Sequence, residues 1–350
     1  MTVITLDEQT VQEAVYGGAI LGGGGGGWIK DGLSKGKLAL EVGAPTLKTV
    51  DACSDNDIAA CVALVGAPAA KEQYVDASQL FSTVELLDKN YPGRISGLIT
   101  NENGASTTIN GWLQSALTGL PVIDAPCNGR AHPTASMGSL NLTELPDYVS
   151  YQAAAGGKGM RSIEAFVSGH INYTSNVIRS LSVEAGGMVG VARNPISIRY
   201  LKEHAAVGGI QQAIALGKAY LKEKEAINRI EVVAEKLQGR IIKVGTVQHC
   251  TIVTEGGFDT GTVYVDDLEL TFWNEYMTAE WNGERKATFP DLIMTFDAET
   301  GMPLVSAEIT KNRKVAVLAV PKESLLLSAT MSNPKLLKTI ETIVKKQIVY

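Results

Sequence analysis

Residues 120–132 read Leu-Pro-Val-Ile-Asp-Ala-Pro-Cys-Asn-Gly-Arg-Ala-His. A short apolar run stops at Asp124 and passes at once into a polar loop, the pattern of a buried strand opening onto a rim at its carboxyl end. The stretch Ile95–Thr100 followed by Asn101-Glu102-Asn103-Gly104 repeats the pattern. Further apolar runs at Thr49–Val50 and Ile58–Val65 alternate with helical periodicity over Ala77–Leu87 and Thr107–Thr118. Strands alternating with helices predict a mainly parallel sheet covered on both faces, a three-layer α/β/α domain. Ligands of such sheets sit beyond the strand carboxyl ends, so Asn101, Glu102 and Asp124–His132 are expected on one rim.

Outward from this core, Thr5–Ile20 has the spacing of an amphipathic helix that runs into six consecutive glycines, Gly22–Gly27. Ser150–Lys236 reads as mostly helical and continues the first domain, 1–236. At Gly239 the rhythm changes to alternating apolar and polar residues split by turn signals, with Asn282–Gly283 a strong two-residue hairpin signal. Residues 237–321 are therefore expected to form an all-β, barrel-like domain. Helical periodicity returns in 322–350, expected to dock on the first domain. The fold class is α/β plus all-β.

Composition narrows the function. The 350 residues carry a net charge of −6, with 45% hydrophobic and 19% charged residues. That describes a globular chain with no electrostatic case for nucleic acid or an anionic membrane surface. No apolar run is long enough to span a bilayer, and the first residues lack a basic start followed by an apolar stretch. Cys53, Cys61, Cys127 and Cys250 lie far apart, as free thiols of a reducing compartment do. The expectation is a cytoplasmic protein acting on a small molecule, with a second copy of the chain as the one protein partner left open.

Two segments carry candidate chemistry. Six glycines have no place inside a stable element, where each costs about 1 kcal/mol relative to alanine. Their amides, Gly23 to Gly26 above all (Gly23, Gly24, Gly25, Gly26), can nest an anion. The run does not match a nucleotide fingerprint, so no nucleotide cofactor is identified. The segment Asp124–His132 sets a carboxylate, a thiol, a guanidinium and an imidazole within nine residues. Cys127 beside His132 is the arrangement of a thiolate nucleophile, with Asp124 orienting the imidazole. Arg130 can clamp a substrate carboxylate through two parallel hydrogen bonds. Asn101 and Glu102 add a polar anchor or base, and Asn274 and Glu275, at a strand end of the second domain, border the cleft between domains. His132, His170, His204 and His249 show no metal-ligand spacing, so a divalent metal is poorly specified and no ligand set is assigned.

Several ordered motifs together, Ala19-Ile-Leu-Gly-Gly-Gly-Gly-Gly-Gly27, Pro121–Pro133, Glu255–Gly261, Phe272–Met277 and Phe289–Gly301, resemble the S-methyl-thiohydantoin desulfurase-like family over about Val15 to Val320. The resemblance implies an α/β/α domain joined to a β-barrel-like domain. For one branch it implies hydrolysis of a methylthio-substituted five-membered heterocycle to a hydantoin with loss of methanethiol. Where relatives commonly carry a further acidic residue this chain has Pro126–Cys127, which makes Cys127 its distinctive group. Two functions follow as expectations: a hydrolase of small cyclic amides or amidines with Cys127 as nucleophile, or a non-catalytic small-anion-binding module or hydantoinase-like subunit.

Overall fold

The computed structural model describes residues 3–66, 70–255 and 257–349. The first domain is built on strands β1 (Val3–Thr5), β2 (Thr46–Lys48), β3 (Ile58–Gly66), β4 (Gly97–Thr100), β5 (Val122–Ile123), β6 (Ser150–Gly156), β7 (Ile163–Gly169) and β8 (Met188–Ser197). Its helices are α1 (Glu8–Leu21), α2 (Ile29–Val42), α3 (Ala77–Asn90), α4 (Trp112–Thr118), α5 (Ile171–Glu184), α6 (Ile198–His204), α7 (Gly209–Lys222) and α8 (Ala226–Lys236). The strand order is β1-β2-β5-β4-β3-β8-β6-β7. Ala59 to Ala63 of β3 are all buried, on alternating faces: Ala60 and Val62 pack with Val84 and Leu87 of α3, while Ala63 packs with Ile178 of α5. Helices thus cover both faces, in three layers.

The sheet is mixed, not mainly parallel. The β2/β5, β5/β4 and β4/β3 pairs are parallel, and β8, β6 and β7 add antiparallel. The mostly helical expectation for Ser150–Lys236 misplaces these three strands. Ala153, Ala154 and Ala155 are fully buried between paired neighbours. Alanine favours helix intrinsically, and cross-strand pairing with burial overrides that preference. The expected helix over Thr107–Thr118 keeps only its second half, since Gly111 takes a left-handed φ of 91° before α4.

The second domain comprises β9 (Arg240–Glu255), β10 (Phe258–Val265), β11 (Leu268–Trp273), β12 (Glu275–Trp281), β13 (Glu284–Thr288), β14 (Leu292–Asp297), β15 (Pro303–Leu304) and β16 (Lys314–Val320), followed by α9 (Pro334–Val344). Its eight strands form one antiparallel sheet, β13-β12-β11-β10-β9-β16-β14-β15. The sheet folds over itself, so that Tyr276 and Ala287 share a core with Ile293 and Val317. It does not close into a barrel: β13 and β15 remain edges. The β15 edge is two residues long and begins with Pro303, which has no amide hydrogen to offer a further strand. Asn282 (φ 52°) and Gly283 (φ 76°) make the expected two-residue turn, with Trp281 opposite Glu284.

Helix α9 lies mainly against the second domain, where Ile340 packs with Trp273, Met277 and Phe289. Lys335 on Glu144 (2.7 Å) and Asn333 Nδ2 on Asn141 Oδ1 (3.0 Å) tie its start to the first domain. No described helix is long and apolar enough to cross a membrane.

Asp124 is spent on this architecture. Its carboxylate accepts the Ile210 N–H (2.7 Å) and both the N–H and Nε2 of Gln211 (3.4 and 2.7 Å). These amides open α7, whose own N-cap, Gly208, supplies no side chain. Asp124→Ala is expected to lower unfolding free energy by about 2 kcal/mol, the combined scale of a lost cap and a stranded buried donor. Urea denaturation followed by circular dichroism measures it, and an unchanged midpoint would refute the capping role.

Candidate active site between the two domains

The glycine run leaves α1 and passes between the domains. The carbonyl of Gly23 accepts the Tyr276 N–H (2.9 Å) and that of Gly24 accepts the Ser306 N–H (2.9 Å), both from the second domain. The Gly26 carbonyl accepts the Ser106 N–H (3.0 Å) from the loop after β4. A Cβ on Gly25 would lie 1.9 Å from Glu275 Oε1, and one on Gly26 (φ 78°) would lie 2.4 Å from the Gly104 Cα. Glycine is required because backbone and carboxylate occupy the space of a side chain.

Four ionisable side chains gather behind this turn. Glu102 follows β4, Arg130 and His132 follow β5, and Glu275 starts β12. All are buried, from fully enclosed Arg130 to His132 at 8% exposed. Glu102 Oε2 accepts the His132 backbone N–H (3.1 Å) and lies 3.4 Å from His132 Nε2, at ion-pair distance without hydrogen-bond alignment. Burial pushes the Glu102 carboxyl up to about 8, although the His132 amide pulls the other way. Burial also pushes Glu275 well up, helped by the Glu102 charge and opposed by Arg130. The same desolvation lowers His132 to about 4, leaving a neutral imidazole at neutral pH. Arg130 comes down to about 10 through burial and remains a cation. A carboxyl that keeps its proton thus faces an imidazole that lacks one, the separation of affinities expected of an acid–base pair.

Several of these groups end in unpartnered atoms. Arg130 Nη2, Glu275 Oε2 and both ring nitrogens of His132 are buried without a hydrogen bond. Buried polar atoms are nearly always paired, so such a concentration marks a place for a ligand or water.

Cys127 is 1% exposed in an apolar cluster with Ile99, Ile123 and Leu140. Its hydrogen bond to Cys61 holds the thiol well above the usual range, and burial adds to that. The same bond brings Cys61 down to about 7. Cys127 is therefore a proton-holding core residue, not an exposed thiolate. Asp124 caps α7 and does not orient His132. The Arg130 clamp is reduced to a single prong: Nη1 donates to the carbonyls of Pro290 (3.1 Å) and Asp291, Nε donates to that of Ala131 (3.3 Å), and the guanidinium covers the Phe289 ring at 4.5 Å. Asn274, with left-handed backbone (φ 57°), forms the reversal between β11 and β12 by bonding Asp259. Asn101 lies beside Glu102 with its Oδ1 on Asn110 Nδ2 (2.9 Å).

Sequence reasoning missed Arg193, which sits opposite Cys61 across the β3/β8 pair with its Nε unpartnered. A charge inside the apolar run Met188–Ser197 was the available signal. Away from the site, His170 caps α5, His204 stacks on Tyr200 at 3.8 Å, and His249 is exposed on β9. Among the described residues, no three His, Cys, Asp or Glu side chains gather as a metal site.

Family models described as S-Me-THD-like, N-terminal domain and S-Me-THD-like, C-terminal domain match residues 9–165 and 170–332. Their junction falls ahead of α5, so the C-terminal match includes β8 of the first sheet. A solved protein structure from Chromobacterium violaceum is similar in fold, with a TM-score of 0.72 at 20% identity over 97% of this chain and 96% of that one. At that identity the likeness bears on fold alone. No protein of curated function matches the chain.

The elevated Glu102 affinity is directly observable. A carboxylic-acid band in the infrared spectrum, absent from Glu102→Gln, is expected to persist at pH 7 and to disappear with a midpoint near 8. A midpoint in the ordinary carboxylate range would mean that the pocket is open to bulk water.

Proposed function

The chain belongs to the S-Me-THD-like family, and on that premise we propose that it is a hydrolase of small five-membered cyclic amides or amidines. An S-methylated thiohydantoin is the type substrate in this reading. The observation that carries it is the set of buried, unpartnered atoms on Arg130, Glu275 and His132 beside a proton-holding Glu102.

Arg130 Nη2 and the Glu275 carboxyl supply a donor and an acceptor at the glycine turn, suited to the carbonyl oxygen and N–H of a planar ring. Neutral His132 removes a proton from water, and the hydroxyl adds to the ring carbon that bears sulfur. Glu102 delivers its proton to the sulfur as the carbon–sulfur bond breaks. The added hydroxyl passes its remaining proton to the adjacent ring nitrogen, so the carbon keeps the oxygen as a carbonyl and the ring gains an N–H, and the proton taken by His132 returns to Glu102. One water is consumed and one methanethiol is released. The low dielectric around the site strengthens each of these interactions, and the fixed donors need no reorganisation as charge develops.

Methanethiol release from S-methyl-thiohydantoins, followed with a thiol reagent, tests the assignment. Glu102→Gln and His132→Gln are each expected to lower kcat by about 10²–10⁴-fold, the range for a positioned acid or base. Cys127→Ser is expected to turn over normally. Full activity in Glu102→Gln, or selective loss in a correctly folded Cys127→Ser, would overturn the mechanism. Tight binding of the ring without turnover by the native chain would favour a binding module.

A further inference from the structure

Strand β9 lies inside its sheet only along its first half, where Arg240–Thr246 pairs with β16. At Val247 the loop before β16 ends that coverage: the Val247 N–H donates to the Arg313 carbonyl (2.9 Å) and the Val247 carbonyl accepts the Asn312 N–H (2.8 Å). From Gln248 to Glu255 the strand pairs with β10 alone. Among the described residues, no backbone group bonds its other side. Alternate residues of this stretch therefore turn their N–H and C=O groups toward open space.

The two ends of the same sheet are blunted in the ways natural edges are. β15 is two residues long and starts with Pro303. β13 carries Glu284, Arg285 and Lys286 in succession, and Arg285 Nη1 donates to the Gln347 carbonyl (2.8 Å) of the C-terminal segment. The open stretch of β9, Gln248-His-Cys-Thr-Ile-Val-Thr-Glu255, has no proline, lysine or arginine. Its centre, Thr251 to Thr254, is β-branched throughout, which suits a pleated ladder. Ile252 and Val253 point to opposite faces and are 51% and 56% exposed. An edge of this composition is a template for one more strand.

We propose that this edge pairs antiparallel with the same edge of a second copy of the chain, about a two-fold axis at Ile252, so that two eight-stranded sheets become one. The side chains select that register. Centred on Ile252, His249 faces Glu255 of the partner subunit at both ends of the ladder, Thr251 faces Val253 of the partner subunit, and Ile252 faces its own copy. His249 and Glu255 are exposed, and neither has a hydrogen bond or ion pair among the described residues. An imidazole N–H opposite a carboxylate gives each a partner. Moving the axis one residue either way sets Glu255 against Val247 or Thr251 and loses that pair. The length fits as well: the incoming strand ends opposite His249, short of Val247, where the loop before β16 closes the edge. Each edge is used once, so the assembly closes at two copies.

The shared edge is about 26 Å long, at the small end of specific interfaces, so a reversible dimer with a dissociation constant of roughly micromolar order is expected. Sedimentation equilibrium of the full chain over a concentration series measures it. Ile252→Lys sets two ammonium groups opposite each other and is expected to weaken association by about tenfold or more. Glu255→Lys is expected to weaken it too, and His249→Glu combined with Glu255→Lys to restore it, because the double variant rebuilds both cross-strand pairs with their charges exchanged. All three positions are exposed, and circular dichroism confirms that each variant keeps the native fold. A native chain that stays monomeric throughout the series overturns the proposal and leaves the edge to a strand of another protein. A dimer indifferent to Ile252→Lys overturns it by placing the contact elsewhere. A double variant no better than Glu255→Lys alone overturns the register.

Discussion

Everything in this molecule that concerns chemistry depends on backbone passing where no side chain can fit. The turn Gly23–Gly27 is bonded through Gly23 and Gly24 to the second domain and through Gly26 to the first. It also lies against Glu275 and Arg130. Carbonyl groups in the turn take amides from Tyr276, Ser306 and Ser106, so the domains are joined through groups that any sequence possesses. What the sequence contributes is the absence of Cβ atoms. An alanine at Gly25 would have to displace the very carboxylate that the turn encloses.

That enclosure explains the unusual proton affinities. Bulk water is kept from Glu102 and His132 by the same close packing, so the carboxyl rises and the imidazole falls from one cause, the cost of burying charge. Arg130 is the exception that keeps its charge, and it does so by spending most of its donors on the carbonyls of Ala131, Pro290 and Asp291. The residue thus fastens the second domain to the site loop and leaves one arm for a ligand. A guanidinium suits both tasks because its donors are fixed in a plane and its charge is weakly hydrated.

Two neighbouring residues of the loop after β5 show how fine the distinction is. Cys127 and His132 are five positions apart, and both are buried. The backbone N–H of Cys127 bonds to the Thr100 carbonyl (2.9 Å), which keeps the residue against the sheet, and its thiol turns toward Cys61. The His132 N–H bonds instead to the Glu102 carboxylate, which holds the imidazole at the domain junction. Sequence proximity makes thiol and imidazole look like partners. The backbone hydrogen bonds send them to different neighbours.

The sequence by itself determined the elements whose signals are local. The Asn282–Gly283 turn, the shift to strand rhythm after Gly239 and the polar rim after Ile95–Thr100 and Leu120–Ile123 follow from residue pattern, because turn chemistry and period act over a few positions. Glu102, Arg130, His132, Glu275 and the glycine run were legible as site candidates for the same reason: charge and glycine where strands end. Only the tertiary structure decided which of them meet. The buried strand Ser150–Gly156, the open edge at β15, the capping of α7 by Asp124 across 86 positions and the core placement of Cys127 all arise from contacts distant in sequence. Burial and pairing partners are properties of the packed chain, and no local pattern encodes them.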